Sequence, residues 1–217
     1  GYGFFTWADL FTPRQLVALT TFSDLVQEAR ELIRRDAITA GFPDDGKSLA
    51  YGGTGATAYA EAVGIYLSFA VDKAANYWSS LCSWHSGRDT VTSTFGRQAL
   101  PMIWDYAEAN PFSNSSGNFI SGVNQSWSFL ETISCIESGK AIQADAAIQT
   151  NSKGKIISTD PPYYDNICYS DLSDFFYIWL RHSLKTVFPD LFATLEVPKT
   201  DELVASRYRH NSAEKAE

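Results

Sequence analysis

The sequence predicts an α/β chain, mostly helical with few strands. Three observations carry that expectation. Two long stretches place apolar residues at helical spacing, one short β-branched run follows a glycine near the C-terminal end, and 45% of the 217 residues are hydrophobic, enough for a real core. The length suggests one domain or one with an insertion.

The first helix is announced by Thr12, Pro13 and Gln15. They read as cap, first and third helical positions, a capping box with proline where its missing N–H costs nothing. Phe11 is placed to staple onto Leu16, and Leu16, Leu19, Phe22, Val26, Ala29 and Ile33 form the stripe that follows. Gly41 to Gly55 reads as a loop. A long helix is expected from Thr57 to Leu81, a shorter one from Arg97 to Ala109, then a loop from Asn110 to Gly122. Helical patterns resume at Trp127 to Glu137 and Lys140 to Gln149. Lys155 to Thr159 reads as a buried strand, ended by two prolines that cannot continue a ladder. A helix fits Leu172 to Val187, with Phe175, Phe176, Trp179, Leu180 and Leu184 on one face, and Phe192 to Val197 reads as another strand. The chain thus divides into a mainly helical region over 1–150, an α/β region over 151–205 and a polar tail over 206–217.

No apolar run reaches the roughly 18 residues of a membrane span. Neither a signal peptide nor an initiator methionine is visible, and Met102 is the only methionine. The chain is therefore read as a piece of a longer, cytoplasmic protein. A formal net charge of −8 argues against generic coating of nucleic acid. The basic groups Arg30, Arg34 and Arg35, and Arg207, Arg209 and His210, read as solvated surface. Cys82, Cys135 and Cys168 read as reduced thiols. Cys82 and His85 have metal-like spacing without a second pair, so no metal site is expected. His85, His182 and His210 lack the partners of a hydrolytic triad. The sequons at Asn114 and Asn124 carry no meaning without secretion, and the six tryptophans read mostly as core.

Asp160-Pro161-Pro162-Tyr163 is the informative tetrapeptide. By average composition such a string arises in roughly one in a thousand chains of this size. It sits where a strand gives way to a loop and then a helix, the place where open α/β sheets bind ligands. Its chemistry suits methyl transfer to an exocyclic amine, a poor nucleophile because its lone pair is delocalised into the ring. Asp160 would accept one N–H and the Pro161 carbonyl the other, freeing the lone pair, while proline holds both acceptors in advance. Tyr163 would stack on a base flipped from the duplex. Tyr164, Asp165 and Asn166 either line the base pocket or form the turn into the next helix. Asn110-Pro111-Phe112 looks like a shortened version of the same motif but, one proline short and inside a polar loop, reads as a helix stop.

The tetrapeptide resembles the catalytic motif of the amino-methylating, AdoMet-dependent DNA methyltransferases. The longer string Thr159 to Asn166 is closer to a subgroup of large prokaryotic putative adenine-specific DNA methylases. Asp9 to Leu16, Phe95 to Met102 and Ala107 to Phe112 are also similar to that subgroup, so the resemblance spans nearly the whole chain. It implies a partial Rossmann-like methyltransferase fold, S-adenosyl-L-methionine as cofactor, and DNA as the partner of the full-length protein. It also implies that Phe11-Thr12-Pro13 corresponds to the family motif that touches the methionine end of the cofactor, although a capping box explains the same Thr and Pro. The family's Phe-x-Gly-x-Gly cofactor loop is not found. Tyr51-Gly52-Gly53-Thr54-Gly55 is the nearest string, lacks an apolar strand before it and reads as ordinary loop. The subgroup carries its glycine motif upstream, so this chain is expected to hold the catalytic loop and half of the cofactor site, and to be inactive alone. The rival readings are methylation of RNA or of cytosine N4, and a non-catalytic helical interaction module.

Overall fold

The computed structural model describes residues 3–133, 139–142, 144–161, 164–165, 167–200 and 202–206. Among them are four α-helices: α1 (Pro13–Thr39), α2 (Ala56–Tyr77), α3 (Phe119–Thr132) and α4 (Tyr169–Leu184). One antiparallel pair of two-residue strands, β1 (Trp84–His85) and β2 (Thr90–Val91), sets Trp84 opposite Val91 and His85 opposite Thr90. The mostly helical expectation holds. The parallel sheet implied by the resemblance is not formed among the described residues.

α2 lies at the centre, packed on α1, α3 and α4. Its buried residues are mostly small: Ala56, Ala58, Ala60, Gly64, Ser68, Ala70, Ala74 and Ala75, with Val71. Small side chains let neighbouring backbones approach. A Cβ at Gly64 would lie 2.5 Å from Arg30 Cδ of α1, and one at Gly122 of α3 would lie 3.4 Å from Ala70. α1 starts as the sequence predicts. The Thr12 N–H donates to Gln15 Oε1 at 2.8 Å, and the Gln15 N–H donates to Thr12 Oγ1 at 3.3 Å. From its stripe Leu19 and Val26 are buried, and Leu16 and Phe22 are packed against the main core. Arg30 and Arg34 are tied down rather than merely solvated. Arg30 donates to the Ser183 carbonyl and to Thr186 Oγ1, and Arg34 pairs with Asp44.

Several expected elements end elsewhere or do not form. α2 stops at Tyr77 rather than Leu81. Trp78 is buried there and donates its indole N–H to the Gly117 carbonyl at 2.6 Å. Ser79 and Ser80 then spend their hydroxyls on Thr94 or Cys82 and on the Leu10 carbonyl, the competition with helix that serine favours. The helix expected from Arg97 to Ala109 is an irregular segment. Pro101 interrupts helical bonding, and the Ala107 N–H donates to the Cys82 carbonyl instead. α3 begins well before Trp127, because Asn118 caps it by accepting from the Ser121 N–H at 2.8 Å. Over Lys140 to Gln149 the described residues form no helix, only a turn at 146–148, with Asp145 Oδ1 accepting the Ala147 N–H.

The two expected strands of the last third are corrected as well. Lys155 to Thr159 is irregular and pairs with no described strand, and Ile156 and Ile157 are exposed. Phe192 to Val197 is an irregular, bent segment held against α4. Its polar backbone is met by α4 side chains instead of a ladder: Tyr177 Oη and Arg181 Nε donate to the Thr194 carbonyl, and Asp174 accepts the Val197 N–H. α4 begins three residues earlier than expected, and Phe175, Trp179 and Leu184 are buried on the face foreseen. The tryptophans divide. Trp78 and Trp179 are core, whereas Trp84, Trp104 and Trp127 are exposed. No helix of the described residues is long and apolar enough to cross a membrane.

Candidate functional site

Asp160 and Pro161 are exposed on an irregular segment. Pro162, Tyr163 and Asn166 fall outside the described residues, as do Arg207, Arg209 and His210. Tyr164 and Asp165 form a turn, both side chains exposed, and Cys168 caps α4 without a side-chain hydrogen bond. The turn is fastened from an unforeseen quarter. Glu202 accepts from the Ser170 N–H at 3.0 Å and from Ser170 Oγ at 2.7 Å, so it supplies the cap that Cys168 does not. The Ala205 N–H then donates to the Tyr164 carbonyl at 2.7 Å. The short return over 202–205 therefore clasps both sides of the link between Asp160 and α4. Nothing in the local sequence at Cys168 signals this tertiary cap.

The first turn of α4 walls a cleft of about 450 Å3. Tyr169, Leu172, Ser173 and Phe176 form one side, and Phe95, Gly96, Arg97 and Gln98 the other. Phe95 anchors the second wall. Its ring stands edge-on to Phe175 at 5.0 Å, and its N–H donates to Asn76 Oδ1 at 3.0 Å. Arg97 is exposed at the cleft.

Phe11, Thr12 and Pro13 join this assembly through the core. Phe11 is 7% exposed, stacks on Phe175 and meets Trp179 edge-on, each with centroids 5.5 Å apart. Thr12 Oγ1 closes the capping box and donates to Glu108 Oε1 at 2.7 Å. Pro13 is exposed at the first helical position. The Phe11 ring and the Thr12 hydroxyl are thus committed to core and cap.

The glycine string at Tyr51 to Gly55 closes on itself. A Cβ at Gly53 would lie 2.1 Å from the Lys47 carbonyl oxygen, and one at Gly55 would lie 2.5 Å from the Asp45 nitrogen. Asp45 accepts the Thr54 and Lys47 N–H groups, and Asp44 accepts that of Thr57. These backbone donors, Thr57 first for Asp44 and Thr54 first for Asp45, hold both carboxyls below the ordinary carboxylate range. The glycines are needed for close backbone approach, and the donors that would cradle a cofactor are spent internally.

No protein-family model matches the chain, and no curated protein or solved structure matches it. The site stands on its own geometry.

Cys82 and His85 do not converge. Cys82 is fully buried among Ser79, Thr94 and the Asn76 carbonyl, whereas His85 is exposed on β1. No group of three His, Cys, Asp or Glu among the described residues is arranged to hold a metal ion. His182 faces Asp24 at 2.7 Å, an exposed link between α4 and α1.

Proposed function

We infer that this chain is the catalytic-loop portion of an AdoMet-dependent methyltransferase acting on an exocyclic amine of DNA, adenine N6 before cytosine N4. One observation supports the reading above the rest. The helix that follows Asp160-Pro161-Pro162-Tyr163 shares a cleft with Phe95 to Gln98 and a core with Phe11, three stretches far apart in sequence. The stretches Asp9 to Leu16 and Phe95 to Met102, and the loop Thr159 to Asn166 that precedes the helix, each resemble the same methylase subgroup.

In this reading Asp160 accepts one N–H of the target amine and the Pro161 carbonyl accepts the other. Both are exposed and Asp160 has no ion-pair partner among the described residues, so substrate meets no internal competitor. Pulling the amine toward tetrahedral geometry localises its lone pair, and the amine loses its proton after attack. Tyr163 stacks on the flipped base, and Tyr164 and Asp165 flank it. Arg97 meets a backbone phosphate. The cofactor, when bound, supplies an electrophilic methyl group. A glycine loop outside this chain would have to hold the rest of the cofactor, because the string Tyr51 to Gly55 spends its own backbone donors internally.

The test is transfer of labelled methyl groups by the full-length protein to duplex DNA and to RNA, with the modified base identified by mass spectrometry. N6-methyladenine in DNA is expected. Methylated RNA would move the reading to the RNA enzymes, and no transfer to either would leave the helical module as the better account.

A further inference from the structure

The chain after α4 doubles back along that helix as a strap, and its successive grips follow α4 back toward the candidate loop. Tyr177 Oη and Arg181 Nε donate to the Thr194 carbonyl at 2.9 and 2.8 Å. One turn nearer the loop, Asp174 holds Val197 and Lys199. Its Oδ1 accepts the Val197 N–H at 2.8 Å and its Oδ2 pairs with Lys199 Nζ at 2.8 Å, while that ammonium also donates to the Val197 carbonyl at 3.2 Å. Asp174 is 5% exposed, and a buried carboxylate is tolerated when it is paired and hydrogen-bonded in this way. At the first turn of α4, Glu202 holds Ser170. The last grip leaves the helix, where the Ala205 N–H donates to the Tyr164 carbonyl. Ala205 stands between Val204 and Ser206, both buried, so its amide is carried on anchored neighbours, whereas Tyr164 is exposed.

Among the described residues of 160–165, Tyr164 is where the segment is bonded to a distant stretch of the chain. It comes four positions after Asp160, with Pro161 and Pro162 between them, and the fixed φ of proline makes that tether stiff. A fixed Tyr164 therefore restricts where Asp160 can stand. We propose that the strap is a positioning device for the catalytic loop, Ala205 being the residue that, through the Tyr164 carbonyl, holds Asp160 where the target amine arrives. The catalytic consequence rests on the methyltransferase reading, and the grip itself rests on the geometry above.

Ala205→Pro is the discriminating variant. The Ser206 N–H donates to the Val204 carbonyl at 2.8 Å, a tight turn centred on Ala205. Among the described residues Asp89 is the only one besides glycine with a positive φ, so this turn is the inverse form, whose central φ of about −75° proline adopts. Proline thus keeps the turn and removes the donor to Tyr164, whereas Ala205→Ser keeps the donor. Hydrogen exchange on the 217-residue chain reads the grip. With proline the Tyr164 and Asp165 amides should exchange about fivefold faster or more, the loss of one hydrogen bond, and amides in the middle of α2 should not change. Methyl transfer by the full-length protein reads the consequence. With proline kcat should fall roughly a hundredfold, the scale of a misplacement of about 1 Å. KM for DNA should hold, because phosphate contacts dominate that affinity, and serine should restore the rate. Unchanged exchange at Tyr164, unchanged kcat, a loss confined to KM, or an equal loss with serine overturns the proposal. Absence of transfer by the unaltered protein overturns the methyltransferase reading, and with it the role of Ala205 in transfer. The exchange difference between the two variants tells that failure from a failure of the grip. Should Ala205→Pro lose helix content by circular dichroism, Asp174→Asn replaces it under the same criteria, since asparagine keeps the acceptor for Val197 and gives up the pair with Lys199.

Discussion

Phe11 and Phe175 stack with ring centroids 5.5 Å apart and planes 25° from parallel, joining the residue before the α1 cap to the helix after the candidate catalytic loop. Phe11→Ala deletes this stack and the edge contact with Trp179. Truncating a buried phenylalanine costs about 3–5 kcal/mol. Urea unfolding should show that loss, and a change under about 1 kcal/mol, typical of surface sites, would mean that the junction is not core.

Glu202 caps the first turn of α4 from a distance. Glu202→Ala should cost about 1–2 kcal/mol, the range of a lost cap, and Glu202→Gln less, since an acceptor remains. Hydrogen exchange resolves the effect locally. The Ser170 amide should lose protection far more than amides in the middle of α2. Uniform loss across both helices would assign Glu202 a global role instead.

How much of this was legible in the sequence follows from where the signals lie. The start of α1 was readable because a capping box is local, and so was the apolar face of α4, because its period is local. The ends of α2 and the nature of Phe192 to Val197 were not readable. Their backbone partners are Leu10, Thr94 and the side chains of α4, distant in sequence. Lys155 to Thr159 has the composition of a buried strand, but composition does not supply a neighbouring strand. In the candidate site, Asp160 and Pro161 were found by motif, whereas Glu202 acts through a tertiary contact that no motif marks.

Asp72 predicts an unusual pH dependence. The residue is half-buried with Oδ1 enclosed and without a hydrogen bond, and burial raises its carboxyl from 3.8 to about 8. The folded state therefore keeps a proton that the unfolded chain releases, so Asp72 costs stability progressively as pH rises from about 4 to about 8. Asp9, Asp44 and Asp45 act oppositely. Their carboxyls are lowered, chiefly by backbone N–H donors, so their contribution is present above the unfolded value and lost in acid. Asp72→Asn should stabilise the protein at pH 8 by up to a few kcal/mol, each tenfold change in proton affinity being worth about 1.4 kcal/mol, and by little at pH 4. Thermal melts across that range check it. A benefit equal at both ends would show that the carboxyl titrates normally.

The central claim is that Asp160 is a hydrogen-bond acceptor for the target amine, and the most direct measurement is methyl transfer by the full-length protein carrying Asp160→Ala or Asp160→Asn. Asp160 is exposed and packs nothing, so both variants should fold and melt like the parent. Alanine removes the acceptor, and transfer should fall by about two to three orders of magnitude, the scale of one lost polar contact to the reacting group. Asparagine keeps a carbonyl oxygen and should retain a measurable part of the rate. Transfer by the alanine variant near the unaltered rate would contradict the account.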